Sequence, residues 1–235
     1  MKLKNIVLGF FATMPLWMPI CTVVGIAYYA HKQKVYLQTR LNEISQKMVV
    51  ELATQQQLKI GITHFPKQFS VRLSCLHQLG FNGQYEPNTD LMTIDSCIIR
   101  NDNETRRVVS HELGHLYVDA LNETIGFGNW PNFSNKNFAQ QQAIQLVSEG
   151  IGEYFERSTH PREDNFKDAD WPKKVDEFSI LRVRYVGGFH LVKPIIDSHK
   201  KAGIEYLITN PPQEKDLLDL PAYQRRALEQ LEAKK

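Results

Sequence analysis

The chain opens with a single apolar run. From Asn5 to Ala30 there are 26 residues without a formal charge, NIVLGFFATMPLWMPICTVVGIAYYA. A helix of about 20 such residues crosses a bilayer, so the pattern predicts a membrane-spanning segment. Pro15 and Pro19 would kink it, which membrane helices tolerate better than soluble ones. The pattern then changes period. Over residues 35–59, apolar side chains recur at Leu37, Leu41, Ile44, Met48 and Leu52, opposite a Gln-rich face. That spacing predicts an amphipathic helix, either a stalk or a helix packed on the downstream domain. Residues 60–103 are punctuated by Gly, Pro and Asn, with turn signals in FNGQYEPN and strand character in LMTIDSCII. Helical spacing returns at 104–121, at 135–157 with Ser134 or Asn135 as N-cap, and at roughly 175–202 beside a YVGG step at 185–188. The loop from Asn122 to Phe133 reads as a surface excursion. The domain reading is therefore an anchor at 1–34, an amphipathic helix or stalk at 35–59, and one folded domain at 60–235.

Composition adds limits. At 42% hydrophobic and 23% charged residues the chain can build a globular core. Lys and Arg number 28 against 26 Asp and Glu, and two of the lysines, Lys2 and Lys4, precede the apolar run. The remainder is balanced, so no global field favours nucleic acid, and no nucleic-acid partner is expected. The apolar run exceeds the usual ~7–15 residues of a signal-peptide core, which favours an uncleaved, single-pass anchor over cleavage near Gly25 and Ala27. Cys21 lacks a small residue before it of the kind a lipoprotein signal needs. Lysines flank the segment on both sides, leaving the positive-inside bias near a tie. A lone N-terminal anchor commonly leaves its domain extracytoplasmic, and that side is expected here. Cys75 and Cys97 would then be open to pairing as a disulfide, or remain two unrelated buried thiols.

The chemistry concentrates at His111-Glu112-Leu113-Gly114-His115. HExxH sets two histidines at i and i+4 on one helical face, about 5–6 Å apart, where both imidazoles can reach one tetrahedral zinc. Glu112 lies beside them, placed to take a proton from a water at the metal. The third ligand comes from elsewhere. A distal histidine six residues on is excluded, because that position is Leu121. Asp119 reads as a surface or supporting acid. Glu149, in Leu146-Val147-Ser148-Glu149-Gly150-Ile151-Gly152-Glu153-Tyr154-Phe155, sits on a separate helix whose two glycines are costly unless another backbone approaches closely. Glu153, one turn later, suits a hydrogen bond to the outer nitrogen of a ligand histidine. Glu156 reads as a solvated acid. His190 is a packed histidine or a second oxyanion donor; the other histidines and Trp130 and Trp171 read as structural or exposed.

HELGH followed by a helix bearing EGxxEYF resembles the gluzincin group of zinc metallopeptidases, the thermolysin-like and minigluzincin-like proteins. The resemblance implies an α+β, zincin-like fold: a small, mostly antiparallel sheet on the HExxH helix, then a helical C-terminal part. It implies Zn2+ held by His111, His115 and Glu149, with Glu112 as general base and Glu153 behind a ligand histidine. Strand LMTIDSC resembles the edge strand on which these enzymes lay an extended peptide. Tyr185 in Tyr185-Val186-Gly187-Gly188-Phe189 resembles the tyrosine that hydrogen-bonds the tetrahedral oxyanion. Pro211-Pro212, Leu217, Leu218, Pro221 and Tyr223 resemble the tail of bacterial zinc-peptidase-like proteins. The expected function is a membrane-anchored zinc-dependent peptidase acting on a peptide or protein substrate. The alternative is a non-catalytic zincin-fold binding or assembly module that retains a structural metal.

Overall fold

A computed structural model describes residues 18–61, 69–76, 82–126 and 135–234. The fold is mixed α and β, mostly helical, with one three-stranded sheet. It divides into two compact units, 1–42 and 43–235. The first contains most of helix α1 (Met18–Glu43), along which the Lys32 ammonium lies 4.7 Å from the centre of the Tyr28 ring. The expected junction after residue 34 falls inside this helix. Among the described residues no helix is long and apolar enough to cross a membrane. Residues 5–17 of the expected span lie outside the described residues, as do His64, His77, Trp130 and most of the 122–133 loop.

The second unit begins with a π-helical turn, Ile44–Met48, which runs into α2 (Val49–Ile60). Its buried face is Ile44, Met48, Val49, Leu52, Gln56 and Ile60, so one nominally polar position turns inward. Gly61 ends α2 in the left-handed conformation, its N–H donating to the Gln57 carbonyl, a cap that glycine adopts without steric cost. The sheet comes next in the chain: β1 (Ser70–Ser74), β2 (Gly83–Glu86) and β3 (Leu91–Asp95), in the order β1-β3-β2. β1 runs parallel to β3, pairing Ser70 with Leu91 and Ser74 with Asp95. β2 runs antiparallel to β3, pairing Gly83 with Ile94 and Glu86 with Leu91. The sheet is thus half parallel, where a mostly antiparallel one was expected. Its central strand is β3, buried at Met92 and Ile94, so LMTIDSC is not the edge strand beside the cleft; β2 is.

Helix α3 (Asp102–Thr124) carries HELGH. Asn101 caps it, accepting from the Glu104 N–H at 3.1 Å, and Asp102 and Glu104 complement the positive end of the helix dipole. Helix α4 (Phe138–Thr159) starts at a capping box of Asn137 and Gln140, three residues after the expected start. Two 3-10 turns (Asp168–Asp170 and Val175–Ser179) and a π-helical turn (Val183–Gly187) lead into α5 (Gly188–Thr209). The short α6 (Glu214–Leu217) and α7 (Leu220–Glu232) complete the chain. Helices α3, α4, α5 and α7 share one apolar cluster around Phe155, Leu146, Leu191 and Ala227. Burying each large side chain of this kind contributes roughly 1.5–3 kcal/mol.

Close helix contact explains the glycines of α4. A Cβ on Gly114 would lie 2.9 Å from the Gly152 Cα, and one on Gly150 would lie 2.4 Å from the Gly188 carbonyl oxygen. α4 is therefore gripped by α3 on one side and by the start of α5 on the other. Its Glu149-bearing turn cannot draw back from either.

Candidate metal centre

The two histidines of α3 point their Nε2 atoms at one another, 3.2 Å apart. Glu149 Oε2, reaching across from α4, lies 3.2 Å from His111 Nε2 and 3.6 Å from His115 Nε2. Gly152 makes this approach available, since a Cβ there would fall 2.5 Å from His111 Nε2. A tetrahedral zinc with Zn–N and Zn–O bonds near 2.0–2.2 Å separates its donor atoms by about 3.3–3.6 Å. The three edges of this donor triangle, 3.2, 3.2 and 3.6 Å, lie within about 0.1 Å of that spacing.

The outer nitrogens are also engaged. His115 Nδ1 lies 3.2 Å from Ser148 Oγ, and His111 Nδ1 lies 3.7 Å from Glu156 Oε2. With the ring protons on Nδ1, as a bound metal would require, each Nε2 would turn its lone pair inward. Two imidazole lone pairs and a carboxylate then converge on one point, which is the donor set a divalent cation needs. Burial favours a neutral Glu149, yet the hydrogen bonds of His111 and His115 outweigh it and hold the carboxyl well below the usual range.

The acids of α4 divide their roles differently from expectation. Glu153 is buried and ion-paired, to Arg157 Nε at 2.9 Å and to Arg162 Nη2 at 2.6 Å. Glu156 is the carboxylate opposite the outer nitrogen of His111. It is only 5% exposed, not the solvated acid its position suggested. Arg107 at 2.9 Å and Arg162 at 3.1 Å neutralise it. Burial works against its charge, but His111 and those arginines hold its pKa down to about 2.

Glu112 faces the sheet. Its side chain lies under Gly83 of β2, where a Cβ would sit 2.8 Å from Oε1. Burial raises its pKa, with the neighbouring histidines pulling the other way. Its Oε2 is buried and, among the described residues, has no hydrogen-bond partner. An unengaged carboxylate oxygen next to the donor triangle is an available proton acceptor.

β2 forms the other wall. The Tyr85 hydroxyl sits 2.9 Å from both Asp90 Oδ1 and Asp119 Oδ2, tying the β2–β3 hairpin to α3. Asp119 is thus a buried anchor for the strand, neither a ligand nor a surface acid. Asn82, Gly83, Gln84 and Tyr85 line a cleft of ≈ 600 Å³ together with His111, Glu112, His115 and Glu149. Tyr185 joins them from the π-helical turn, its ring 5.5 Å from that of His111. Burial raises the Tyr185 pKa, and the Glu149 and Glu112 charges raise it further, so the phenol keeps its proton.

No family model, curated protein or solved structure matches the chain.

His190 lies elsewhere. Its Nε2 bonds Asp164 Oδ1 at 2.8 Å, and its ring stacks on Phe166 at 5.1 Å. Asp164 also pairs with Arg157, so His190 belongs to the arginine–carboxylate network behind Glu153. Trp171 packs edge-on against Phe166 at 4.8 Å, over Gly187.

Proposed function

We propose that this chain is a zinc-dependent peptidase with a gluzincin-like site. The observation that carries the reading is the donor triangle of His111, His115 and Glu149, at 3.2, 3.2 and 3.6 Å, with the buried Oε2 of Glu112 beside it. The HELGH helix against a small sheet, with the third donor on the next long helix, supports a zincin-like arrangement. The N-terminal apolar run, anchored as a single span with the domain extracytoplasmic, completes the proposal.

A zinc held by His111, His115 and Glu149 would supply Lewis acidity toward a peptide carbonyl and toward an attacking water. Glu112 would accept a proton from the attacking water on its buried Oε2 and return it to the departing amine. Its burial raises its proton affinity, bringing it nearer the working pH of a general base. Tyr185, which holds its phenolic proton, donates to the oxygen that becomes negative as the carbonyl turns tetrahedral. Among the described residues, the outer edge of β2 has no partner strand in the sheet. The Tyr85 N–H on that edge is taken by Glu112, and the remaining groups of the edge would pair an extended peptide and register its scissile bond over the donor triangle.

The test is zinc content together with peptide-library cleavage for wild type and Glu112→Gln. About one zinc per chain is expected in both, with hydrolysis reduced at least ~10²-fold in the variant. Full activity in Glu112→Gln would sink the mechanism. Full zinc with no cleavage by wild type would instead favour the non-catalytic module.

A further inference from the structure

A second cluster of chemically active side chains lies at the ends of β1 and β3. Cys75 follows β1 directly, and Cys97 lies two residues beyond β3. The parallel register sets Ser74 beside Asp95, and the Ser96 N–H donates to the Ser74 carbonyl at 2.7 Å. The two chain segments therefore leave the sheet side by side. The two sulfurs and a carboxylate oxygen of Asp95 all lie within 4.8 Å of one another. Asp95 is fully buried, and its Oδ1 accepts the Cys97 N–H at 3.0 Å, which fixes the backbone carrying the second thiol. Both cysteines are exposed, so an oxidant can reach them. None of the three residues lines the cleft.

We propose that Cys75 and Cys97 form an intramolecular disulfide. Bonding distance is about 2 Å, a change in separation that χ1 rotation of two exposed side chains supplies. One thiolate attacks a disulfide of a thiol–disulfide oxidant, giving a mixed disulfide and releasing one thiol of the oxidant. The other cysteine then displaces the oxidant's second thiol. One S–S bond forms in the protein and one breaks in the oxidant. The oxidant takes up the two electrons and the two protons that the cysteines lose.

A metal fits this cluster less well. A closed soft-metal site needs a fourth donor beyond these three, and among the described residues no fourth His, Cys, Asp or Glu is grouped with them. The bond would close the segment from 75 to 97, which contains β2. It would thereby restrain the strand that forms one wall of the cleft, whatever reaction the cleft performs.

The experiment uses the full chain in detergent, with Cys21→Ser to remove the third thiol. The protein is equilibrated in glutathione redox buffer, alkylated under denaturing conditions and weighed intact. At an oxidising poise we expect no alkyl adducts and a mass two hydrogens lower, with two adducts after reduction. Adding Cys75→Ser should leave Cys97 as a single alkylated or glutathionylated residue. Two adducts at the oxidising poise, or glutathione on both cysteines, would overturn the proposal. A thiolate-to-cobalt charge-transfer band that saturates at one equivalent of Co(II), vanishes in Cys75→Ser and blocks oxidation would overturn it in favour of a metal site.

Discussion

The two walls of the cleft are built on opposite plans. On the α4 side every carboxylate has an arginine or a histidine against it: Glu149 the histidine pair, Glu153 two arginines, Glu156 two arginines and His111. On the β2 side, among the described residues, the outer backbone edge has no partner strand and Glu112 keeps one buried oxygen without a hydrogen-bond partner. Saturated networks resist movement, because any shift leaves a buried charge unpaired at a cost of several kcal/mol. Open edges and unengaged acceptors wait for something to arrive. On the reading proposed above, the α4 wall would hold the cation and the β2 wall would receive the substrate, and the two roles should separate on mutation.

The largest expected effect tests that separation directly. Glu149→Ala removes one corner of the donor triangle and should drop zinc from about one per chain to near none after dialysis, abolishing hydrolysis with it. Glu112→Gln should leave zinc in place and lose only turnover. Equal zinc in Glu149→Ala and wild type would refute the ligand assignment. Loss of zinc from both variants would mean that the two walls are not separate.

Next in size is the division among the α4 acids. Glu156→Gln removes the negative charge facing His111 Nδ1 and should weaken zinc affinity roughly 10–100-fold. Glu153→Gln breaks a buried ion pair with Arg157 and Arg162, so its larger cost should appear in thermal stability. Competition with a chromogenic chelator and a melting curve on each variant would check both. A larger zinc defect in Glu153→Gln than in Glu156→Gln would reverse the assignment.

These comparisons also mark how far the sequence could be read. HExxH was legible because i, i+4 spacing is local and the helix fixes it. Glu149 was legible because Gly150 and Gly152 advertised a close neighbour. Glu156 was not, since which of three acids on one helix meets a histidine depends on how α3 and α4 cross, and no local pattern encodes that. Choosing β3 as the edge strand failed for a related reason. β3 has the β-branched content of a strand because it is central and buried, whereas β2, with Gly83 and Gln84, has little strand propensity and gains its place from the Tyr85–Asp119 anchor.

Gln56 carries the same lesson to the smallest expected effect. It sits among the glutamines that read as a polar face, yet it is fully buried between α3 and α4. Its Nε2 donates to Ser110 Oγ at 2.6 Å and to the Ser110 carbonyl at 3.1 Å, with the Phe155 carbonyl at 3.4 Å. It therefore clamps the back of both helices, on α3 just before His111. Its Oε1, among the described residues, is buried without a partner, a cost that offsets part of what the amide contributes. Gln56→Ala should then lose about 1–3 kcal/mol, from net hydrogen bonding of ~1 kcal/mol plus a cavity. For a unit of this size that lowers Tm by about 2–4 °C per kcal/mol. Gln56→Leu fills the space and removes the orphaned oxygen, so it should lose less than Gln56→Ala. In both, one zinc per chain should persist, because the α4 network and the donor triangle do not pass through Gln56. Zinc loss in Gln56→Ala at unchanged Tm would show that the clamp sets the metal geometry, and that the α4 wall does not hold the cation by itself.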